Sequence, residues 1–534
     1  MVLALLLSLS PADARGLHGP CVRPHLEAPP PGGLWSRPPS IDSITSKIYP
    51  IRVHWNRADK ADEAVIVLAA AEDSWRIQVD EMDFRAPVLP DSLDGPELDI
   101  YIHTSGGGGA WVDGEGWPYI DVTPDDGYNG TPSYMVLSPS IPVDELPSYV
   151  AHEFQHVTQF ATDFVEPTYP IWEAVATAAE WWTFAYPEWD YAVYSFQEVP
   201  YAPTLLADSY AFYYDFYLGG YYEYGAALWV LHLDQVVRDG TGQSGVDLWQ
   251  ATAQEGLLND PDPIDAVQTA SGQTLGAFLN GVARSRWLTG ADWDDRGLAD
   301  AADWGRYEKV PHDDLMLGDL PRDHIFAPAP MITGQAFVEV DVSGGSGPLV
   351  VSTDSRMGND SGLLLLWWAD DGSVGEVQAE GATPEVMIDL DGLSRVVVAL
   401  TNLGPPDFDG DDLAYIPGDQ VLHMEHDGGA VDPLVVAPAD PGLPGVLNSW
   451  AVTGATPGGS VALVAGVAGA GPDAPGCPGL SVAIARPKLL GRTTADADGD
   501  AVLERRVPDL SGTFLVQAVD LDACTVSAPV DMVL

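Results

Sequence analysis

Two histidines and a glutamate carry the chemistry that can be read most directly from this chain. They stand in the run Ala151-His152-Glu153-Phe154-Gln155-His156-Val157. Residues four apart on a helix share a face, so His152 and His156 can each offer an imidazole nitrogen to one zinc ion. Glu153 sits one residue round the turn, where its carboxylate can take a proton from a water that the ion activates. The arrangement suits metal-assisted hydrolysis. An open catalytic site of this kind needs a third protein ligand. Trp172-Glu173-Ala174-Val175-Ala176-Thr177-Ala178-Ala179-Glu180-Trp181 offers two carboxylates, seven positions apart (173 and 180) on one face of an Ala-rich helical stretch. Glu173 is the expected ligand. Glu180 is expected as an outer acceptor that fixes the tautomer and orientation of a ligand histidine. Glu166 is the alternative ligand, although the Pro167 that follows favours a loop there. The competing structural readings are histidines that merely pack or cap, and a Glu180 that is simply solvated.

The first histidine run needs a helix under it, and the pattern predicts one over 144–160. Asp144 and Glu145 place negative charge at its start, Pro147 is tolerated in a first turn, and Leu146, Tyr149, Val150, Phe154, Val157 and Phe160 supply apolar surface. Upstream, strands are predicted at Tyr49–Trp55, Leu98–His103, Tyr119–Val122 and Ser133–Leu137. A helix is predicted over Lys60–Met82, with Val65, Leu68, Trp75, Val79 and Met82 on one side. Gly106 to Gly109 read as a flexible loop, either a gate over a cleft or a surface excursion.

With both helices in view, the sequence resembles the gluzincin metallopeptidases, in which a His-Glu-x-x-His helix is followed by a second helix whose Glu completes the zinc site. The resemblance covers about residues 45–240 and is nearest to secreted bacterial metalloproteases with His-Glu-Phe-x-His and a later Glu-x-x-Ala-x-x-x-Glu. Glu173, seventeen positions after His156 (156 to 173), takes the place of the third ligand. That gap is slightly shorter than in thermolysin-like and aminopeptidase N-type members. The resemblance implies a thermolysin-like α+β core and a zinc peptidase acting on a protein or peptide substrate. It also implies that the strand before the zinc helix is the sheet edge along which substrate lies, which points to Tyr134, Met135 and Val136. Tyr222-Glu223-Tyr224-Gly225 resembles the Tyr-Glu-x-Gly segment of aminopeptidase N-type enzymes, and that gives Tyr222 the role of stabilising the tetrahedral intermediate. A core tyrosine on an apolar helical face is the rival reading there, and His232 is the weaker alternative. Without an acidic motif to bind a free α-amine, an endopeptidase is the expectation. The alternative is a surface adhesion protein built on a catalytically silent peptidase scaffold.

The 534 residues exceed one core, so several domains are expected. From about residue 320 short alternating or apolar runs are separated by Gly, Pro and Asp-Gly, the texture of β-sandwiches. The expected layout is a signal peptide at 1–14, a Pro-rich lead-in at 15–45, the catalytic domain at 46–319, a jelly-roll-like sandwich at 320–430 and an Ig-like sandwich at 431–534. Acidic residues number 79 against 23 basic ones, a net charge of −56, which repels nucleic acid and anionic lipid and favours a soluble monomer. Secretion from a bacterial cell is expected from the leader, and no membrane span is expected. Of three cysteines, Cys477 and Cys524 are expected to pair, with Cys21 left over. Asp407–Asp412 and Asp496–Asp500 resemble fragments of calcium loops, although Asp-Gly is also turn chemistry.

Overall fold

The computed structural model describes residues 37–533 apart from 90–94, 108, 115–120, 125, 167, 185–189, 207–220, 254–261, 300, 304–309, 407, 409–416, 427–433, 457, 470, 473–476, 478–479, 497–498 and 508–512. The expected leader, Cys21 and most of the Asp407–Asp412 run therefore lie outside the described residues. The chain is mixed α and β and divides into two compact units. The first reaches Gly344 and takes in Val350–Ile388 and Gly392–Glu425, and the second holds His426–Leu534 with Gly345–Leu349 and Asp389–Asp391. Residues on both sides of position 320 thus fall in the first unit, so the helical region and the first set of β-strands after it share one unit.

That unit opens on a sheet of β1 (Asp42–Thr45), β2 (Ile51–Trp55), β3 (Leu98–Ile102), β4 (Ala110–Gly114) and β5 (Ser133–Leu137). Their order is β1-β2-β3-β5-β4, with β2, β3 and β5 parallel and β4 antiparallel to β5. Alternation sorts the faces. Val53, Ile100, Val112, Met135 and Leu137 join the main core, while Tyr101, Trp111, Tyr134 and Val136 form a smaller cluster of their own. Between β2 and β3 runs α1 (Ala61–Ser74), and after β5 come α2 (Leu146–Thr162) and α3 (Tyr169–Phe184). Helix α2 packs on α1, α3, β4 and β5. It is sealed almost throughout rather than amphipathic, which is why its polar residues must find partners inside the protein.

Further helices complete the region: α4 (Asp190–Gln197), α5 (Tyr222–Gly225), α6 (Ala227–His232), α7 (Gln243–Thr252), α8 (Pro263–Ser271) and α9 (Leu275–Trp287). Ala283 and Trp287 of α9 bury against Phe337, Leu364, Leu366, Val397 and Ala399 of the following sheet, so one apolar core continues across residue 320. The strands are β6 (Asp313–Met316), β7 (Arg322–His324), β8 (Gln335–Asp341), β9 (Pro348–Ser355), β10 (Asp360–Ala369), β11 (Val374–Gly381), β12 (Glu385–Asp389), β13 (Leu393–Gly404) and β14 (Gln420–His426). That sheet has the order β11-β10-β13-β8-β6, and a four-stranded one runs β12-β9-β14-β7.

In the second unit a three-stranded and a five-stranded sheet contribute to one core of Trp450, Val452, Val461, Leu463, Leu503 and Val516. Cys477 and Cys524 are disulfide-bonded, with Cα atoms 5.4 Å apart. One strand of this unit runs from Ile484 to Thr494. No described helix is long and apolar enough to cross a membrane.

Candidate metal centre

Helix α2 starts at Leu146 with Pro147 in its first turn, where a missing N–H costs no hydrogen bond. Phe154, Val157 and Phe160 anchor it in the core, and Trp172 does the same for α3, its ring 5.4 Å from that of Phe160. This packing sets the register of the two helices and brings His152, His156 and Glu173 together. Their ligand atoms lie within 4.8 Å of one another, and all three side chains are buried. Glu173 Oε2 stands 3.0 Å from His152 Nε2 and 3.6 Å from His156 Nε2.

The outer nitrogens decide what the inner ones can do. His152 Nδ1 donates to Glu180 Oε1 at 2.8 Å, and the other oxygen of Glu180 accepts from the Ser148 hydroxyl. His156 Nδ1 donates to Gln159 Oε1 at 2.6 Å. The Gln159 amide is itself oriented, because its Nε2 donates to the Trp172 carbonyl at 3.2 Å. A neutral imidazole has one proton, and with that proton on Nδ1 each Nε2 presents a lone pair. Burial pushes His156 below the ordinary imidazole value, which favours this neutral form. Burial would raise Glu173, but positive charge on the imidazoles beside it outweighs burial and holds the carboxyl below the usual range, so the carboxylate depends on a proton or a cation among the three groups. His156 Nε2 is buried without a hydrogen bond. With that tautomer two lone pairs and a carboxylate oxygen converge in a sealed space and repel one another unless a proton or a cation lies between them. Two imidazole nitrogens and one carboxylate oxygen are also a donor set that suits zinc.

Glu153 is fully buried on α2 beside these ligands. Glu180 stands where the sequence placed it, while Gln159 was missed. Gln159 lies three residues after His156 on one helical face, and that spacing was the available signal.

Other expected residues fall elsewhere. Tyr134, Met135 and Val136 lie in β5, which is paired to β3 on one side and to β4 on the other. Its backbone groups are committed on both sides, so it cannot add a substrate strand. The edge strand beside α2 is β4, whose single charged residue, Asp113, and Gly-rich approach hid it from pattern reading. The Tyr222 hydroxyl donates to the carbonyls of Ala202 and Pro203, both at 3.3 Å, and its ring packs 5.0 Å from Phe196. Burial pushes its phenol up to about 12. It is a core tyrosine. Two residues on, the half-buried Tyr224 ring stacks on His152 with centroids 5.7 Å apart. His232 is also enclosed, with Nδ1 2.8 Å from Ser285 Oγ, and burial lowers it to about 3. Glu166 lies outside the triad. Asp496 caps its own turn, accepting from Asp500 N–H at 3.0 Å, with Gly499 at φ 79°. Among the described residues no second group of three His, Cys, Asp or Glu ligands is brought together. No protein-family model matches the chain, and no curated protein matches it.

Proposed function

We propose that the chain is a secreted zinc metallopeptidase that cuts within protein or peptide chains. One observation carries the reading: His152, His156 and Glu173 converge as buried acceptors, with their outer nitrogens held by Glu180 and Gln159. When bound, zinc would supply Lewis-acid polarisation of a carbonyl and activation of water near neutral pH. Glu153 then has the work of a general base: it accepts the proton of the attacking water and returns it to the leaving amine. Glu180 and Gln159 keep both imidazoles in the tautomer that the ion requires. The edge position of β4 supports Ala110–Gly114 as the strand along which an extended substrate aligns, in place of Tyr134–Val136. Contact with His152 supports Tyr224, in place of Tyr222, as the group that donates to the developing oxyanion. The disulfide supports an oxidising, extracellular setting, and the acidic surface supports a soluble monomer. The two pairs of β-sheets toward the C-terminus are read as sandwich modules beside a gluzincin-type core.

The test joins metal analysis to turnover. Protein purified without chelators is expected to carry one zinc per chain and to hydrolyse a casein-type substrate, and Glu153→Gln is expected to keep the zinc and lose the hydrolysis. A folded protein that takes up no zinc would favour the adhesion reading instead.

A further inference from the structure

The turn between α2 and α3 carries two carboxyl groups for which the zinc site has no use. Asp163 ends α2 and Glu166 follows three residues later, and they are 0% and 3% exposed. Val165 N–H donates to Asp163 Oδ1 at 3.2 Å, and Thr168 N–H donates to Glu166 Oε1 at 2.7 Å. The remaining oxygens, Asp163 Oδ2 and Glu166 Oε2, are sealed from solvent without a hydrogen-bond partner. Asp163 and Glu166 repel each other, and Asp262, the N-cap of α8, adds negative charge toward Glu166. Thr252, the last residue of α7, reaches the Asp163 carboxyl. That hydroxyl also lies 2.8 Å from the Trp249 carbonyl, so it is shared between the carbonyl and the Asp163 carboxyl. The side chain of Asn129 also hydrogen-bonds the Asp163 carboxyl. Its backbone is fixed there, with Asn129 N–H on Thr162 O at 3.0 Å and Phe164 N–H on Asn129 O at 3.2 Å.

We propose that a hard divalent cation, calcium by chemistry, binds between Asp163 and Glu166, with Thr252 Oγ1 and waters filling its shell. The donors are all oxygen, two of them carboxylate, which is the preference of calcium and not of a nitrogen- or sulfur-seeking metal. A bound cation replaces the repulsion between the two carboxyls with coordination and ties the end of α2 to the start of α3 and to α7. Burial holds Asp163 up at about 7 and Glu166 at about 8 in the absence of a cation, so protons are the natural competitors for the site. The site is separate from the zinc triad, and it places a tryptophan beside the ion: Trp172 Nε1 donates to the Glu166 carbonyl at 3.0 Å.

That neighbour provides the assay. Terbium, which replaces calcium, is added to zinc-saturated full-length protein in 0.15 M salt with millimolar magnesium, and its emission is excited through tryptophan. Expected are sensitised emission that calcium displaces and a calcium-dependent rise in Tm of about 3–6 °C. Both should be lost in Asp163→Asn/Glu166→Gln. Equal terbium emission and an equal calcium-dependent rise in wild type and variant overturn the proposal, as does their absence from wild type. If the double variant does not fold, wild-type crystals soaked in terbium decide the matter. An anomalous peak between Asp163 and Glu166 supports the site, and none there refutes it.

Discussion

Replacing Gln159 with Leu removes the acceptor that fixes His156 while keeping the volume of the side chain. The wild-type amide is fully buried, takes His156 Nδ1–H at 2.6 Å and gives its own N–H to Trp172 O at 3.2 Å. No water can enter to take over either bond. A buried imidazole N–H without a partner costs about 1–3 kcal/mol. His156 can escape that cost by moving its proton to Nε2, toward Glu173 Oε2 at 3.6 Å, but then its metal-binding lone pair is gone. By either route the cost falls on metal binding. Loss of an outer partner of a ligand histidine typically weakens the metal about 10–100-fold, or about 1.4–2.7 kcal/mol. Glu180→Ala serves as the internal comparison. The Glu180 side chain is 17% exposed, so water can replace its bond to His152 Nδ1, and its loss belongs near the tenfold end. Gln159→Leu belongs near the hundredfold end. Competition with a chromophoric zinc chelator measures both, and thermal unfolding in excess zinc verifies the fold. A folded Gln159→Leu within about twofold of wild type refutes the tautomer argument. If Glu180→Ala proves the weaker binder of the two, carboxylate charge rather than exclusion of water governs the site.

Glu173→Ala is expected to strip most of the zinc, because two neutral imidazoles leave the ion without an anionic ligand; full zinc in atomic absorption of that variant would place the third ligand elsewhere. Tyr222→Phe should leave kcat on a peptide substrate unchanged and lower stability by about 1 kcal/mol, whereas Tyr224→Phe should lower kcat about 10–100-fold with KM little changed. Equal kcat for wild type and Tyr224→Phe removes Tyr224 from the mechanism. Reducing the bond between Cys477 and Cys524, which are 47 residues apart, should destabilise the second compact unit by about 4 kcal/mol on loop entropy. The first unit should keep its metal and activity; zinc released on reduction alone would contradict that independence.

What the sequence revealed about the site and what it concealed separate by physical cause. His152, His156, Glu173 and Glu180 were legible because helical spacing alone brings such residues to one face, and α2 and α3 differ from the expected helices only at their ends. Gln159 was hidden because an uncharged amide in a helix signals nothing until the imidazole beside it is seen. The sheet edge was misplaced because β5, Ser133–Leu137, has an obvious apolar run, while β4 is the strand that actually lies at the edge. Strand order is a non-local property, and no window of residues records it. The same limit explains Tyr222 and Tyr224: either could have faced the His152–His156–Glu173 triad, and the choice depends on where a four-residue helix meets α3 and α4. The continuous core across residue 320 was invisible for a further reason, since α9 and the sheet it covers are joined by packing alone.

The acid excess gives these buried groups a common logic. With 79 carboxylates and only 23 Lys and Arg, the chain cannot supply a basic side chain to every carboxylate that folding encloses. Asp99 does obtain one, from Arg37, together with His54 Nε2 at 2.7 Å. Glu173 instead has two imidazoles, which are effective partners only when a proton or a metal ion supplies the positive charge. Asp163 and Glu166 have neither arginine nor imidazole, only backbone N–H groups, the Asn129 amide and neutral hydroxyls such as that of Thr252. An unpaired buried charge costs far more than a surface one gains, so such carboxyls must take up protons or cations. The distinction makes an ordered prediction. On adding a strong chelator at pH 8, where protons are scarce, the α2–α3 turn should lose hydrogen-exchange protection, and calcium alone should restore it around Asp163 while zinc alone restores it around His152. Restoration of both regions by zinc alone would mean that the turn is held by the triad, and that Asp163 and Glu166 keep their protons even at that pH.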